Sequence, residues 1–149
     1  MRWILRKATA ADRQRIEQLF VEMLQTIYRK TDVLGYAPGD LDRFFAGEDR
    51  ICIAEVEGSV VAFLSMEVHR EQVDYVYLDD FSVSAAYRGA GIGTQLLAEA
   101  EKFAREIGFF NIVLHVETSN ASARRLYERS GYELLNDEGN RVSMIKRIS

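Results

Sequence analysis

One stretch restricts the fold of this chain more than any other. An alternating run, Val73 to Val83, ends just before Tyr87-Arg88-Gly89-Ala90-Gly91-Ile92-Gly93-Thr94, which opens a strongly periodic helical segment, Gly91 to Gly108. A β-branched run, Ile112 to Val116, follows. Strand, glycine turn, helix and strand in that order form a crossover unit, so the strands at 73–83 and 111–117 are expected to lie parallel. Three glycines at alternate positions strip the turn of side chains, and several backbone N–H groups can then converge on one small anion. The positive end of the helix dipole points at the same spot. That is the build of a pyrophosphate cradle; the plainer alternative for a lone glycine cluster is a turn with capping glycines. A P-loop needs Lys and then Ser/Thr after its last glycine, and Thr94-Gln95 stands there instead. A dinucleotide fingerprint needs G-x-G-x-x-G and an acid about 20 positions on. This turn reads G-x-G-x-G, and Val113 occupies the acid's place.

The rest of the chain supplies the remaining elements. Trp3 to Ala8 reads as a first strand, and Thr9 can cap a helix whose apolar stripe is Ile16, Leu19, Phe20, Met23, Leu24 and Ile27. Thr31 to Gly39 holds the only proline and reads as a loop, with a short helix from Asp40 to Phe45. Ile51 to Val56 and Val60 to Val68 are strands joined by a Glu57-Gly58 hairpin turn. After Gly108 come the strand at Ile112, a helix from Asn120 to Ser130, and a hairpin of Tyr132 to Leu135 with Arg141 to Ile148. The expected class is α+β, a single mixed and mostly antiparallel sheet in one domain spanning 1–149.

Composition excludes several partner classes. A net charge of −4, with no block of basic residues, argues against nucleic acid. No apolar run approaches the length of a membrane span, and no signal-peptide pattern opens the chain, so the expectation is a cytoplasmic protein with no membrane partner. Two histidines, His69 and His115, and the single Cys52 in an apolar run give little material for a metal site, and none is expected.

Two motifs at the right separation make the chain resemble the GNAT superfamily of N-acetyltransferases. The acetyl-CoA motif R/Q-x-x-G-x-G/A is matched by Arg88-Gly89-Ala90-Gly91-Ile92-Gly93. The later motif N-x-x-A-x-x-L-Y-x-x-x-G-F/Y is matched by Asn120, Ala123, Leu126, Tyr127, Gly131 and Tyr132. Tyr77-Leu78-Asp79-Asp80-Phe81-Ser82-Val83 is similar to the fourth strand of diamine (spermidine/spermine) and thialysine acetyltransferases, with Asp where those carry Glu. The resemblance implies the GNAT fold: about seven strands, about four helices, and a central parallel pair splayed around the cofactor.

It also implies a chemistry, direct acetyl transfer from acetyl-CoA to an amine. A primary amine with a pKa near 10.4 is neutral in only about 1 in 10³ to 10⁴ molecules at pH 7, so a base or proton relay helps. Asp79 matches the family's base position, and Asp80 and Glu117 are the competing carboxylates. Period-2 phase puts Asp79 on the face of Tyr75, Tyr77 and Phe81, with Asp80 opposite, but the family's bulge in this strand can change the phase. Ion-paired surface carboxylates remain the plainer reading of both. A backbone N–H within Phe81, Ser82 and Val83 is the implied donor to the thioester oxygen. Tyr127 matches the general acid beside the leaving sulfur, although a Tyr four residues after Ala123 on an amphipathic helix also reads as a core aromatic. Asn120 matches the pantetheine contact, though Asn at a helix start is also an ordinary cap. Gly89, Ala90, Gly91, Ile92, Gly93 and Thr94 form the implied phosphate cradle, assisted by Arg88, with Arg124 or Arg125 toward a CoA phosphate.

The acceptor side would be lined by Tyr28, Tyr36, Phe44, Phe45, Asp79, Asp80, Asp137 and Glu138, acids and aromatics that suit a cationic amine. The first expectation is therefore a small-molecule amine or polyamine acceptor. The alternatives are a protein N-terminus or lysine, and a non-catalytic acyl-CoA-binding module. Family habit implies a homodimer.

Overall fold

The computed structural model describes residues 2–149. Strand β1 (Ile4–Lys7) leads through a 3₁₀ turn (Ala10–Asp12) into α1 (Arg13–Tyr28) and a short α2 (Arg43–Ala46). The chain continues through β2 (Arg50–Val56), β3 (Ser59–His69), β4 (Tyr75–Val83), a second 3₁₀ turn (Ala85–Tyr87) and α3 (Ile92–Glu106). It closes with β5 (Asn111–Glu117), α4 (Ala121–Arg129), β6 (Glu133–Asp137) and β7 (Arg141–Arg147). The seven strands form one sheet in the order β1-β2-β3-β4-β5-β7-β6. As the crossover requires, β4 and β5 are parallel, in register from Val76↔Ile112 to Leu78↔Leu114. The pairs β1/β2, β5/β7 and β6/β7 are antiparallel, the last with a bulge between Leu134 and Asn136. No helix among the described residues is long and apolar enough to cross a membrane.

The chain divides into two compact units. One comprises the residues up to Ser65 together with Asp80–Leu96; the other comprises Met66–Asp79 and Leu97–Ser149. The core of the first is built by Ile16 and Leu19 of α1, Leu41 and Phe44, and Ile51, Ile53, Val60 and Phe63 of β2 and β3. Burying one such side chain contributes roughly 1.5–3 kcal/mol, so this cluster sets the frame on which β4 ends.

Two expectations shift. The helix does not start cleanly at Thr9: its first turn is 3₁₀, and Asp12 reaches back to take the Thr9 backbone N–H at 2.8 Å. Arg6 of β1 grips the same Asp12 carboxylate at 2.8 and 2.9 Å and Glu55 of β2 at 2.6 Å, tying the helix start to the sheet. The apolar stripe of α1 also outruns the core. Ile27 is 53% exposed because it lies in the last turn, just before Arg29 leaves the helix in a left-handed conformation.

Candidate active site

In the first unit, the end of β4 passes into the glycine turn. Ser84 N–H bonds Val61 carbonyl at 2.8 Å, and the Arg88 Nε–H donates to Val83 carbonyl at 2.9 Å, which fixes the approach to the turn. Gly89 (φ 78°) and Gly91 (φ 100°) take left-handed conformations that a side chain resists, and a Cβ at either would meet nothing within 4 Å. The turn is thus both obligatorily glycine and open. Gly91 carbonyl accepts the first α3 bond, from Gln95 N–H at 3.2 Å. The amides of Ile92, Gly93 and Thr94 precede that bond, where a helix has no internal partner for them. They are available, with the helix dipole behind them, to a phosphate. Ile92 offers only its amide, because its side chain is 1% exposed in the core; Ala90 and Thr94 lie on the surface.

The same unit holds Asp80. Its carboxylate accepts a 2.6 Å hydrogen bond from the Tyr36 hydroxyl, and its backbone N–H donates to Ser65 Oγ at 2.8 Å. Tyr36 in turn stacks on Phe20 with centroids 3.9 Å apart. Asp80 is therefore an anchor for the loop before α2, which lowers its standing as a base. Phe44, expected to line the acceptor side, is a core residue with Arg43 over its ring, and Tyr28 points to the surface, 62% exposed.

In the second unit, burial in β4 alternates as the period predicts: Val76 and Leu78 are buried, Tyr75 and Tyr77 half-buried, and Asp79 exposed. Glu117 ends β5 exposed, opposite Arg141. Tyr127 on α4 is buried, with an edge contact to the Tyr132 ring. Burial, and then the neighbouring Tyr77, push its phenol up to about 12, so it is a neutral donor at any physiological pH. Asn120 caps α4, its Oδ1 accepting from Ala123 N–H at 3.2 Å, which leaves the amide nitrogen for another partner. Arg124 is half-buried and Arg125 exposed on the same helix.

The feature that sequence reasoning missed is a hydrogen-bonded chain across β4, β5 and the β6–β7 loop. The Tyr77 hydroxyl lies 2.6 Å from His115 Nδ1, His115 Nε2 lies 3.0 Å from Glu138 Oε2, and Arg141 Nε–H donates to Glu138 Oε1 at 3.2 Å. An ionised carboxylate only accepts, so His115 Nε2 carries a proton. In the neutral ring Nδ1 is then an acceptor, and Tyr77 O–H donates to it. Burial, followed by the charge of Asp79, pushes the Tyr77 phenol up to about 12. For Glu138 desolvation works upward, yet the hydrogen bonds from His115 and Arg141 hold it below the usual carboxylate range. A signal was present: Tyr77 pairs with Val113, so His115, two residues on, shares its face of the sheet.

These groups open onto a groove of about 580 Å³ within the unit, walled by Val73, Tyr75, Val113, Leu135 and Ile145, with Arg147 and Asn136 among its polar lining. His69 stacks on Tyr75 with centroids 4.7 Å apart and meets Tyr77 edge-on.

The sequence profile of the acetyltransferase (GNAT) family matches residues 14–132. The uncharacterized N-acetyltransferase MJ1530 of Methanocaldococcus jannaschii is 32% identical over 130 residues, covering 87% of this chain and 77% of the relative. N-alpha-acetyltransferase 50 of Danio rerio is 33% identical over 79 residues, which span 52% of this chain and about half of the relative (47%). Among solved structures, the PaiA N-acetyltransferase of Thermoplasma acidophilum in complex with coenzyme A matches with a TM-score of 0.80 over 99% of both chains at 17% identity, a likeness of fold.

Proposed function

Since the chain belongs to the acetyltransferase (GNAT) family, we propose that it acetylates an amine held in the groove beside Tyr77 and His115, with acetyl-CoA as donor. The observation that carries this reading is the Tyr77–His115–Glu138 chain. The open, positive-φ glycine turn fits a pyrophosphate, so the amides of 89–94 would hold that group, with the strand edge at Phe81, Ser82 and Val83 as further contacts. The thioester supplies an activated acetyl group.

The residues of the chain then divide the proton work. A phenol near 12 is too seldom ionised at pH 7 to act alone. Tyr77 instead takes a proton from the acceptor ammonium while passing its own to His115 Nδ1, and the resulting imidazolium is held by Glu138 through Nε2–H. Asp79, exposed on the Tyr77 face, adds negative potential that favours the incoming ammonium. Tyr127 hydrogen-bonds the departing sulfur. Outright transfer from a phenol near 12 to a thiolate near 8.5 would run uphill by about 5 kcal/mol, so its role is a hydrogen bond.

The acceptor class follows from charge and pKa. The groove's one lining carboxylate, Glu138, is already occupied by His115 and Arg141, and Arg147 adds a cation. A single amine beside an apolar group fits the walls better. The α-amine of a peptide, with a pKa near 8, is about one-tenth neutral at pH 7, against roughly 1 in 2,500 for an alkylamine near 10.4. A histidine-based relay suits the former. The relative from Danio rerio is, by its name, an N-alpha-acetyltransferase. We therefore favour a polypeptide N-terminus over the polyamine suggested by the Tyr77–Val83 strand. The test is product mapping on peptides that carry both a free α-amine and an internal lysine, beside spermidine. Acetylation of the α-nitrogen is expected; exclusive acetylation of spermidine or lysine would reject the acceptor assignment.

A further inference from the structure

Tyr127 stands in the last turn of α4, and a helix of nine residues is too short to hold its own position. Its two ends are fixed in different ways. Asn120 caps the start, and a lysine from a strand grips the finish. Lys146 of β7 donates to the Ser130 carbonyl at 2.7 Å and to Glu101 Oε2 of α3 at 2.9 Å. A cation there meets the carbonyl end of α4, where the helix dipole is negative. The two charged side chains are only 23% and 18% exposed, so the contact is far less screened than a surface pair. Arg105 approaches Glu101 only to 3.6 Å, which leaves Lys146 as the nearer cation. The lysine stem packs as closely as its head bonds: a Cβ on Gly131 would lie 3.0 Å from Lys146 Cε and 3.2 Å from Nζ. The next residues carry the contact back to the site. The amides of Ser130 and Tyr132 donate to the Tyr127 carbonyl at 3.1 and 3.0 Å, and the Tyr132 ring meets the Tyr127 ring edge-on. All of these residues belong to the second unit.

We infer that Lys146 is a positioning residue: by staking the end of α4 to α3 and β7, it sets where the Tyr127 hydroxyl stands relative to the reacting sulfur. The role rests on the transferase reading, in which Tyr127 hydrogen-bonds that sulfur. Ser130 lies three residues beyond Tyr127, less than one helical turn, so a displacement at the clamp reaches the phenol almost undiminished. A misplacement of about 1 Å can cost about 10²-fold in rate, and here the loss is limited to what the Tyr127 hydrogen bond contributes.

The experiment uses the full chain. Lys146→Met keeps the stem and removes the charge; Glu101→Gln/Lys146→Met removes both charges, so that no carboxylate is left without its partner if the first variant folds poorly. Circular dichroism checks both. Turnover is measured for each variant alone and in the Tyr127→Phe background, and calorimetry at pH 9 compares CoA with desulfo-CoA. At that pH the CoA thiol, near 8.5, is mostly thiolate, while Tyr127, pushed up to about 12, still carries its proton. Each variant should lower kcat about fivefold with KM for acetyl-CoA within about twofold of wild type, and lower it no further in the Tyr127→Phe background. Wild type should hold CoA about tenfold more tightly than desulfo-CoA through a charge-assisted hydrogen bond, and the variants should lose most of that preference. An unchanged kcat, a fall that repeats in full in the Tyr127→Phe background, or a preference for CoA kept by both variants would overturn the inference and leave the transferase reading standing. A wild type with neither turnover nor the preference would sink the transferase reading, and the positioning role with it.

Discussion

Replacing Tyr77 by Phe removes one oxygen from the relay and little else. That oxygen makes a 2.6 Å hydrogen bond to His115 from a half-buried position, so the expected stability cost is roughly 0.5–1.5 kcal/mol and the fold survives. The kinetic cost is larger and depends on pH. Without the relay only the neutral amine reacts, and an α-amine near pKa 8 is about one-tenth neutral at pH 7, a loss of about tenfold. A further factor of about ten is assigned to the proton that leaves the nitrogen as the new C–N bond forms, at the low end for general-base catalysis. The variant's kcat/KM should thus fall about 10²-fold at pH 7 and about tenfold at pH 9, where the amine is mostly neutral. CoA release measured with a peptide acceptor from pH 6.5 to 9 reads both values, and the protein's only thiol, Cys52, is buried. A loss under about threefold at pH 7, or one that does not shrink as pH rises, would refute the relay.

Three further predictions use the same structure. Tyr127 has its phenol raised to about 12 against about 10 unfolded, so its contribution is complete below pH 10 and is lost as pH climbs toward 12. Wild type should therefore lose roughly 2–3 kcal/mol more than Tyr127→Phe over that interval, read by urea denaturation, while at pH 7 the variant loses mainly kcat. Asp12, held below the usual carboxylate range chiefly by Arg6, stabilises the fold above pH 4, and that stability is lost as pH falls through its depressed value. Asp12→Asn should cost roughly 1–3 kcal/mol at pH 7, a gap that narrows as pH falls through the depressed value of that carboxyl, checked by denaturation from pH 7 downward. Gly91→Ala meets no atom but must hold φ near 100°, so about 1–3 kcal/mol of strain should appear as lost stability or weakened CoA binding by calorimetry.

Local periodicity carried the crossover unit, because a strand of period 2, a glycine turn and a helix of period 3.6 leave one arrangement. In β4 it put Asp79 on the face of Tyr77 without choosing between Asp79 and Asp80, and the structure buries Val76 and Leu78 on the opposite face. What it could not give were contacts made by loops. Tyr36 lies in a stretch without a period, and only the folded chain shows it donating to Asp80. Glu138 sits in the β6–β7 connection, and nothing in its neighbours announces that it meets His115. The Tyr77–His115 pair stood between these extremes. Parallel pairing was foreseen, but the register that places them on one face was not. β6 reads as a strand yet has no buried side, since it is the edge strand and bulged.

The most direct measurement is CoA release from acetyl-CoA by wild type, Tyr77→Phe and His115→Gln, run side by side with α-amine peptides and polyamines at pH 7. The account predicts turnover of the peptides by wild type and a loss of about 10²-fold in both variants, with folding intact. Undiminished turnover in both variants would contradict the relay, and turnover confined to polyamines would contradict the acceptor.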